Sequence, residues 1–145
     1  MKRNYLLLLL IFGITSCSIS KINQYVKDGK VQRREGRWVE ENSSEEGIFI
    51  SKGRYRDGEK IGIWRTSLNG NRYQREAFRK DLIKTKFYYP NGRIKEKGQS
   101  KMERDDDFRH WFYMGDWTHY NKSGQLMYIK TYHKDKKADS VAVRQ

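Results

Sequence analysis

The sequence predicts an all-β fold, an elongated antiparallel meander of repeated β-hairpins that follows an N-terminal signal helix. Turn-forming Asp-Gly, Asn-Gly and Ser-Gly pairs recur along the chain, the segments between them alternate in polarity, and no comparable stretch has a helical period. The length of 145 residues is that of one ordinary domain. This length argues against a two-domain enzyme with a separate cofactor domain.

The first element is an export signal. Lys2 and Arg3 precede an apolar run at residues 6–14, which small residues connect to Cys17. The run is too short to span a bilayer as a helix, and its order of positive, apolar and small residues is typical of a secretory signal peptide. We therefore predict that residues 1–16 are a signal peptide.

The segment Ile14-Thr15-Ser16-Cys17 resembles the lipobox of bacterial lipoproteins. The resemblance implies that Cys17 becomes the first mature residue and carries acyl chains, several of which make a stable membrane anchor. Because Ser18 replaces the aspartate that retains some lipoproteins at the inner membrane, the resemblance implies the outer membrane of a bacterial envelope. The alternatives are a conventional cleavage site and an uncut signal anchor.

Glycine organises the rest of the chain into strands and bends. Asn-Gly and Asp-Gly pairs supply the positive φ angles of tight hairpins. Alternation predicts strands around Ile83–Tyr89 and Leu126–Tyr132. The predicted structural turn glycines are Gly58, Gly62, Gly70, Gly92, Gly115 and Gly124.

The order of glycines and rings resembles bacterial MORN-type repeats, whose unit reads Gly-x-Tyr-x-x-Gly-x-x-x-Gly-x-Trp-x-x-Tyr before an Asn-Gly turn. One copy matches at Gly53, Tyr55, Gly58, Gly62 and Trp64, and a second half-unit at Gly115, Trp117 and Tyr120. The resemblance implies a repeat sheet over residues 36–133, interrupted by a polar insertion at residues 99–110. Residues 17–35 are predicted to be a lipidated tether, and residues 134–145 a basic C-terminal tail.

The aromatic residues have two interpretations. The chain has 10 Tyr and 4 Trp, and rings stacked on one sheet face can replace an aliphatic core. Alternatively, some rings form an exposed groove for a partner. The candidate partner-binding residues are Trp64, Tyr89, Trp111, Trp117, Tyr120 and Tyr132.

No catalytic motif is found. His110, His119 and His133 lack metal-ligand spacing, and there is no nucleophile elbow or phosphate-binding glycine loop. We therefore predict no catalytic residue, no metal site and no cofactor, hence a protein that is not an enzyme. A small hydrolase would require His110 or His119 to converge with residues 105–107.

Basic charge indicates the class of partner. The chain has 31 Lys plus Arg against 18 Asp plus Glu, a formal net charge of +13, which attracts anionic surfaces. The predicted function is a membrane-anchored, non-catalytic binding or scaffold module for a protein or an anionic envelope polymer. The alternative implied by related repeat proteins is an antitoxin or immunity-type protein that masks a toxin. Export argues against nucleic acid, and open sheet edges allow an edge-strand homodimer.

Overall fold

The computed structural model describes residues 21–104, 108–134 and 136–142. In this part of the chain ten strands form one antiparallel sheet, and each strand pairs with the next in sequence. The strands are β1 (Gln24–Asp28), β2 (Val31–Ser44), β3 (Gly47–Arg56), β4 (Glu59–Leu68), β5 (Asn71–Arg79), β6 (Leu82–Tyr88), β7 (Ile94–Arg104), β8 (Arg109–Tyr120), β9 (Leu126–His133) and β10 (Lys136–Ala142). The predicted all-β meander is confirmed, whereas the predicted signal helix and Cys17 lie outside the described residues.

Two kinds of glycine turn connect several of the strands. The pairs Asp57-Gly58 and Asn69-Gly70 have positive φ at both residues, which is the two-residue turn that matches the twist of paired strands. Gly92 and Gly124 instead end four-residue turns, where their amides donate to the carbonyls of residues 89 and 121 over 2.8 and 2.9 Å. The side chain of Asn91 also donates to the carbonyl of Lys122 (3.0 Å), so the two longer turns are neighbours.

Gly62 and Gly115 lie inside strands, although both have positive φ angles of 64° and 66°. Each coincides with a register shift, in the β3–β4 and the β7–β8 pair respectively. These glycines are therefore at β-bulges, which bend a strand and re-aim the side chains that follow.

Each bulge places a tryptophan over a glycine of the preceding strand. Trp64 is 1% exposed and covers Gly53, and its indole N–H donates to the carbonyl of Arg54 (3.1 Å). Trp117 is 3% exposed and covers Gly98, with its N–H on the carbonyl of Gln99 (3.1 Å). The same Gly–Trp unit therefore occurs twice, with the indole N–H satisfied in both copies.

The core is mainly aromatic and most of it lies on one face of the sheet, which we call the tryptophan face because it carries Trp38, Trp64 and Trp117. Tyr25, Trp38, Tyr55 and Trp64 form a continuous edge-to-face series with centroids 5.1, 5.4 and 5.1 Å apart. Such pairs add about 0.5–1.5 kcal/mol beyond the area that they bury. Ring packing thus stabilises a sheet that has few aliphatic core residues.

The sheet extends beyond residues 36–133. The segment predicted to be a tether contributes β1 and the start of β2, and the predicted tail contributes β10. Residues 99–104 and 109–110, predicted as a polar insertion, lengthen β7 and β8 instead. Ser100 and Met102 are buried there, because a longer hairpin still presents every second residue to the tryptophan face.

Candidate polyanion-binding face

Five cationic side chains lie directly opposite one another across five neighbouring strands. The paired positions run Lys52–Arg65, Arg65–Arg75, Arg75–Lys86 and Lys86–Lys97, from β3 to β7. Directly opposed residues share a sheet face. We call this set the cationic row and its side of the sheet the row face.

The Gly–Trp units position the ends of the row. Lys52 immediately precedes Gly53, Arg65 immediately follows Trp64, and Lys97 immediately precedes Gly98. Because successive residues of a strand point to opposite faces, packing an indole over a glycine on one side turns these cations to the other side. The buried rings therefore act as the scaffold of the row.

The row is electrostatically unfavourable in the free protein. Like charges directly opposite on neighbouring strands are destabilising, and the row contains four such pairs in succession. None of the five side chains has an ion pair with a carboxylate in the part of the chain that the structure describes. At about 4.8 Å between strands, the row extends about 19 Å perpendicular to the strands.

A hollow of about 540 Å³ adjoins the row between β5 and β8. Arg79 and Lys84 line it together with three cations of the row, and the one lining carboxylate is Asp116. Asp116 accepts a hydrogen bond from the hydroxyl of Thr131 (2.7 Å). The hollow therefore has a strongly positive lining.

Lys97 connects the row to an aromatic neighbour. Its ammonium lies 5.4 Å from the centroid of the Tyr120 ring, within the range of a cation–π contact. Hydrogen bonds with Thr118 and Lys97 lower the pKa of the Tyr120 phenol below its usual value, with a further contribution from the charge of Lys86. Tyr89 donates its hydroxyl hydrogen to the Tyr120 carbonyl (2.8 Å), so the two tyrosines are held together.

The other predicted ring residues do not join this group. Trp64 and Trp117 are buried core residues whose side chains leave no surface for a partner. Trp111 is 38% exposed and contacts Phe78 edge to face (6.5 Å). Tyr132 is half-buried against Tyr113 (5.4 Å). Of the six candidates, Tyr89 and Tyr120 alone lie beside the row.

A charged network occupies the opposite, tryptophan face. Glu40 accepts hydrogen bonds from Arg34 (2.8 Å), Tyr55 (2.6 Å) and Lys60 (2.8 Å). Partial burial alone would raise the pKa of Glu40, but the hydrogen bonds from Lys60 and Tyr55 and the charges of Lys60 and Arg34 hold it below its usual value. Burial and the bond to Glu40 raise the pKa of Tyr55 to about 12. Both cations of this network are paired with a carboxylate, unlike those of the row.

Two of the histidines stack on aromatic rings. His119 lies with Nδ1 3.0 Å from Glu96 and stacks on Tyr128 (4.4 Å). His110 stacks on Phe112 (6.2 Å). In the same part of the chain, no cluster of three His, Cys, Asp or Glu side chains suits a metal ion. None of the described residues forms a helix with the length and apolar character needed to cross a membrane.

No family model, curated protein or solved structure matches this chain. The residues and geometry of the sheet are therefore the basis for assigning a function.

Proposed function

We propose that the chain is a lipid-anchored, non-catalytic binding module of the bacterial envelope whose cationic row binds an extended anionic polymer. The observation that carries this proposal is the direct opposition of five cations across β3–β7. A polymer with repeated negative charges that crosses the strands would meet each of these cations in turn.

The energetics favour an extended anion over a single small one. A polyanion along the row offsets four repulsive pairs at once and releases its own counterions, so its affinity falls steeply with salt. A small monovalent anion neutralises one or two positions and leaves the remaining repulsion in place. The positively lined hollow beside the row widens the contact for a branched or folded polymer.

The proposed anchor is Cys17, which the lipobox-like segment identifies as the lipidated residue. Cys17 precedes the first residue of β1, Gln24, by seven positions. A chain of that length spans at most about 25 Å. Lipidation would therefore keep the sheet close to the membrane, where anionic envelope polymers are concentrated.

The test compares dextran sulfate with uncharged dextran. Full-length protein, lipidated in a bacterial host and held in phosphatidylcholine nanodiscs, is titrated with each polymer at several salt concentrations. The row variant combines Arg65→Gln, Arg75→Gln and Lys86→Gln. The control variant combines Lys27→Gln, Lys30→Gln and Lys122→Gln, which removes the same number of charges from exposed positions outside the row.

We expect wild type and the control variant to bind dextran sulfate, and neither protein to bind dextran. In the row variant the slope of log affinity against log salt should become shallower by about two to three. If both variants lost dextran sulfate affinity equally, binding would depend on net charge alone and the row would not be the binding site. No binding of dextran sulfate, together with a salt-resistant 1:1 complex with one envelope protein, would favour the antitoxin-type alternative.

A further inference from the structure

An aromatic cleft of about 330 Å³ lies at the ends of β5, β6 and β7. Four aromatic side chains contribute to its lining: Tyr73, Phe87, Tyr88 and Tyr89. Tyr73 packs edge to face between Phe49 (5.1 Å) and Phe87 (5.7 Å), so its ring has a fixed orientation. The volume is at the lower end of the range for small-molecule pockets, which suits one ring-sized group rather than a whole chain.

Strand irregularities place two of the lining residues in the cleft. Tyr73 lies at the register shift between β4 and β5, and Lys95 at the shift between β6 and β7. Bulges re-aim side chains next to binding sites and are found at the edges and ends of sheets. Two bulged residues that line one cleft indicate that the strands are shaped around it.

The charged groups of the cleft are cations. Arg72 and Lys95 line it, and no carboxylate does. The guanidinium of Arg72 is held over the Tyr88 ring, 5.1 Å from its centroid. The cleft therefore combines ring faces, tyrosine hydroxyls and two positive charges, which suits a ligand with an apolar C–H face, hydroxyl groups and an acidic group.

The cleft is continuous with the cationic row. Tyr88, whose ring lies under Arg72, follows Lys86 of the row by two residues on β6 and therefore shares the row face, whereas Phe87 and Tyr73 line the cleft from the tryptophan face. Two residues of strand correspond to about 7 Å. The wall residue Tyr89 is fixed to the Tyr120 carbonyl, and Tyr120 contacts Lys97. One ligand can therefore occupy the cleft and the row together.

We infer that the polymer bound along the row is an acidic glycan, and that the cleft seats one of its sugar rings with the ring's acid group toward Arg72 and Lys95. This inference rests on the proposed function, because it names the polymer of that same site. Pyranose rings carry the C–H faces that pack on tyrosine and phenylalanine, and uronic acids add one carboxylate per ring. Phosphate groups on a chain without sugar rings would use the row but not the aromatic rings of the cleft.

The experiment uses the full-length lipidated protein in phosphatidylcholine nanodiscs and four probes. Oligogalacturonate is the acidic glycan, maltohexaose the neutral one, polyphosphate the polyanion without sugar rings, and oligo-dT the polyanion with stacking bases. Tyr73→Leu removes a cleft ring, and Tyr132→Leu removes a half-buried tyrosine from β9 as the control. Arg72→Gln with Lys95→Gln changes two exposed residues, which keeps the test informative if Tyr73→Leu impairs folding.

We expect wild type to prefer oligogalacturonate to polyphosphate of equal charge, and to bind maltohexaose weakly. Tyr73→Leu should weaken oligogalacturonate binding about tenfold while polyphosphate binding changes less than about twofold. Arg72→Gln with Lys95→Gln should weaken oligogalacturonate binding about tenfold or more. Tyr132→Leu should leave all four affinities unchanged.

Three outcomes would overturn the inference and leave the proposed function in place. They are unchanged oligogalacturonate affinity in both cleft variants, equal binding of maltohexaose and oligogalacturonate, and tighter binding of oligo-dT than of oligogalacturonate. Failure of the proposed function is a different result, in which neither polyphosphate nor oligogalacturonate binds and the row variant equals wild type.

Discussion

The indole of Trp64 lies against the backbone of Gly53, so close that a Cβ atom at position 53 would fall 2.2 Å from two ring atoms. Trp117 stands in the same relation to Gly98, again at 2.2 Å. In each case the glycine is needed for close approach, since neither has a positive φ angle. The pair is the structural unit that the chain repeats.

Gly53→Ala should therefore destabilise the sheet, because the buried indole of Trp64 must move to admit a methyl group. Overpacking of this kind costs about 1–3 kcal/mol or more in the free energy of unfolding. Urea denaturation of the full chain measures the loss. Gly98→Ala should give a similar loss through Trp117.

A double-mutant cycle separates the steric clash from any general effect of alanine at position 53. In the Trp64→Leu background the ring is gone, so Gly53→Ala should cost much less than it does in wild type. The difference between the two costs is the coupling free energy. Equal costs in both backgrounds would show that the clash is not the cause.

The cationic row predicts a conflict between stability and binding. Arg75 is opposed by Arg65 on one side and by Lys86 on the other. Arg75→Gln removes two repulsive pairs, so the free energy of unfolding should rise by about 0.2–1 kcal/mol for each. The same change should weaken dextran sulfate binding. Thermal denaturation at low salt and polymer titration measure the two effects.

High salt provides a control for this prediction. Screening shortens the range of repulsion between the row cations, so the stability gain of Arg75→Gln should shrink in 1 M salt. Lys30→Gln, at an exposed turn outside the row, should change neither the free energy of unfolding nor the affinity for dextran sulfate appreciably. A gain that persists unchanged at high salt would point to a non-electrostatic origin.

The repeated alternation and glycine turns were sufficient to predict the meander, because sheet pairing between consecutive strands depends mainly on local turn chemistry. Gly58 and Gly70 form the two-residue turns that Asp-Gly and Asn-Gly favour. The bulges at Gly62 and Gly115 could not be derived in the same way. Gly36 likewise has a positive φ angle two residues before Trp38 without a register shift, so the Gly-x-Trp spacing alone does not show where a bulge forms.

The cationic row was missed because it depends on register. Net charge indicated an anionic partner, but the opposition of Lys52 to Arg65 and of Lys97 to Lys86 is known only when the three register shifts between β3 and β7 are known. A sequence signal does exist: both Lys52 and Lys97 precede the glycine of a Gly–Trp unit. Trp64 and Trp117 were candidates for binding because sequence alone does not show which rings a single-layer sheet buries.

The network around Glu40 predicts a stability loss at low pH. Because its folded pKa lies below the ordinary value of 4.5, the stabilisation by Glu40 is present above that value and is lost as pH falls through the folded pKa. Glu40→Gln should lower the free energy of unfolding at pH 7 by about 1.5–3 kcal/mol. The difference in the free energy of unfolding between Glu40→Gln and wild type should become smaller as the pH is lowered. Glu41→Gln, at an exposed position, serves as the control. A constant difference down to pH 3 would contradict the assignment.

His119 predicts a second, milder acid dependence. Burial lowers the pKa of His119, the charge of Glu96 opposes that effect, and the charges of Lys130 and Lys95 add to it. The unfolded chain therefore binds the proton more readily, so stability should fall as pH decreases from about 6.5 toward the folded pKa. His119→Phe keeps a ring on Tyr128 and removes the titration, so its stability should fall less between pH 7 and 5.5. Identical pH profiles for both proteins would exclude His119 as the source.

Cys17→Ala tests the anchor on which the cellular setting of the row depends. Wild type expressed in a bacterium that processes lipoproteins should lose residues 1–16, gain acyl mass and partition with membranes, because several acyl chains bind a bilayer stably. Cys17→Ala should retain no acyl mass, while its sheet, which begins at Gln24, should keep the wild-type affinity for dextran sulfate once purified. Intact mass spectrometry and membrane fractionation measure the first effect, and polymer titration the second. If both proteins were recovered unprocessed from the cytoplasm, the row would face cytoplasmic polyanions instead, and nucleic acid would become the first partner to test.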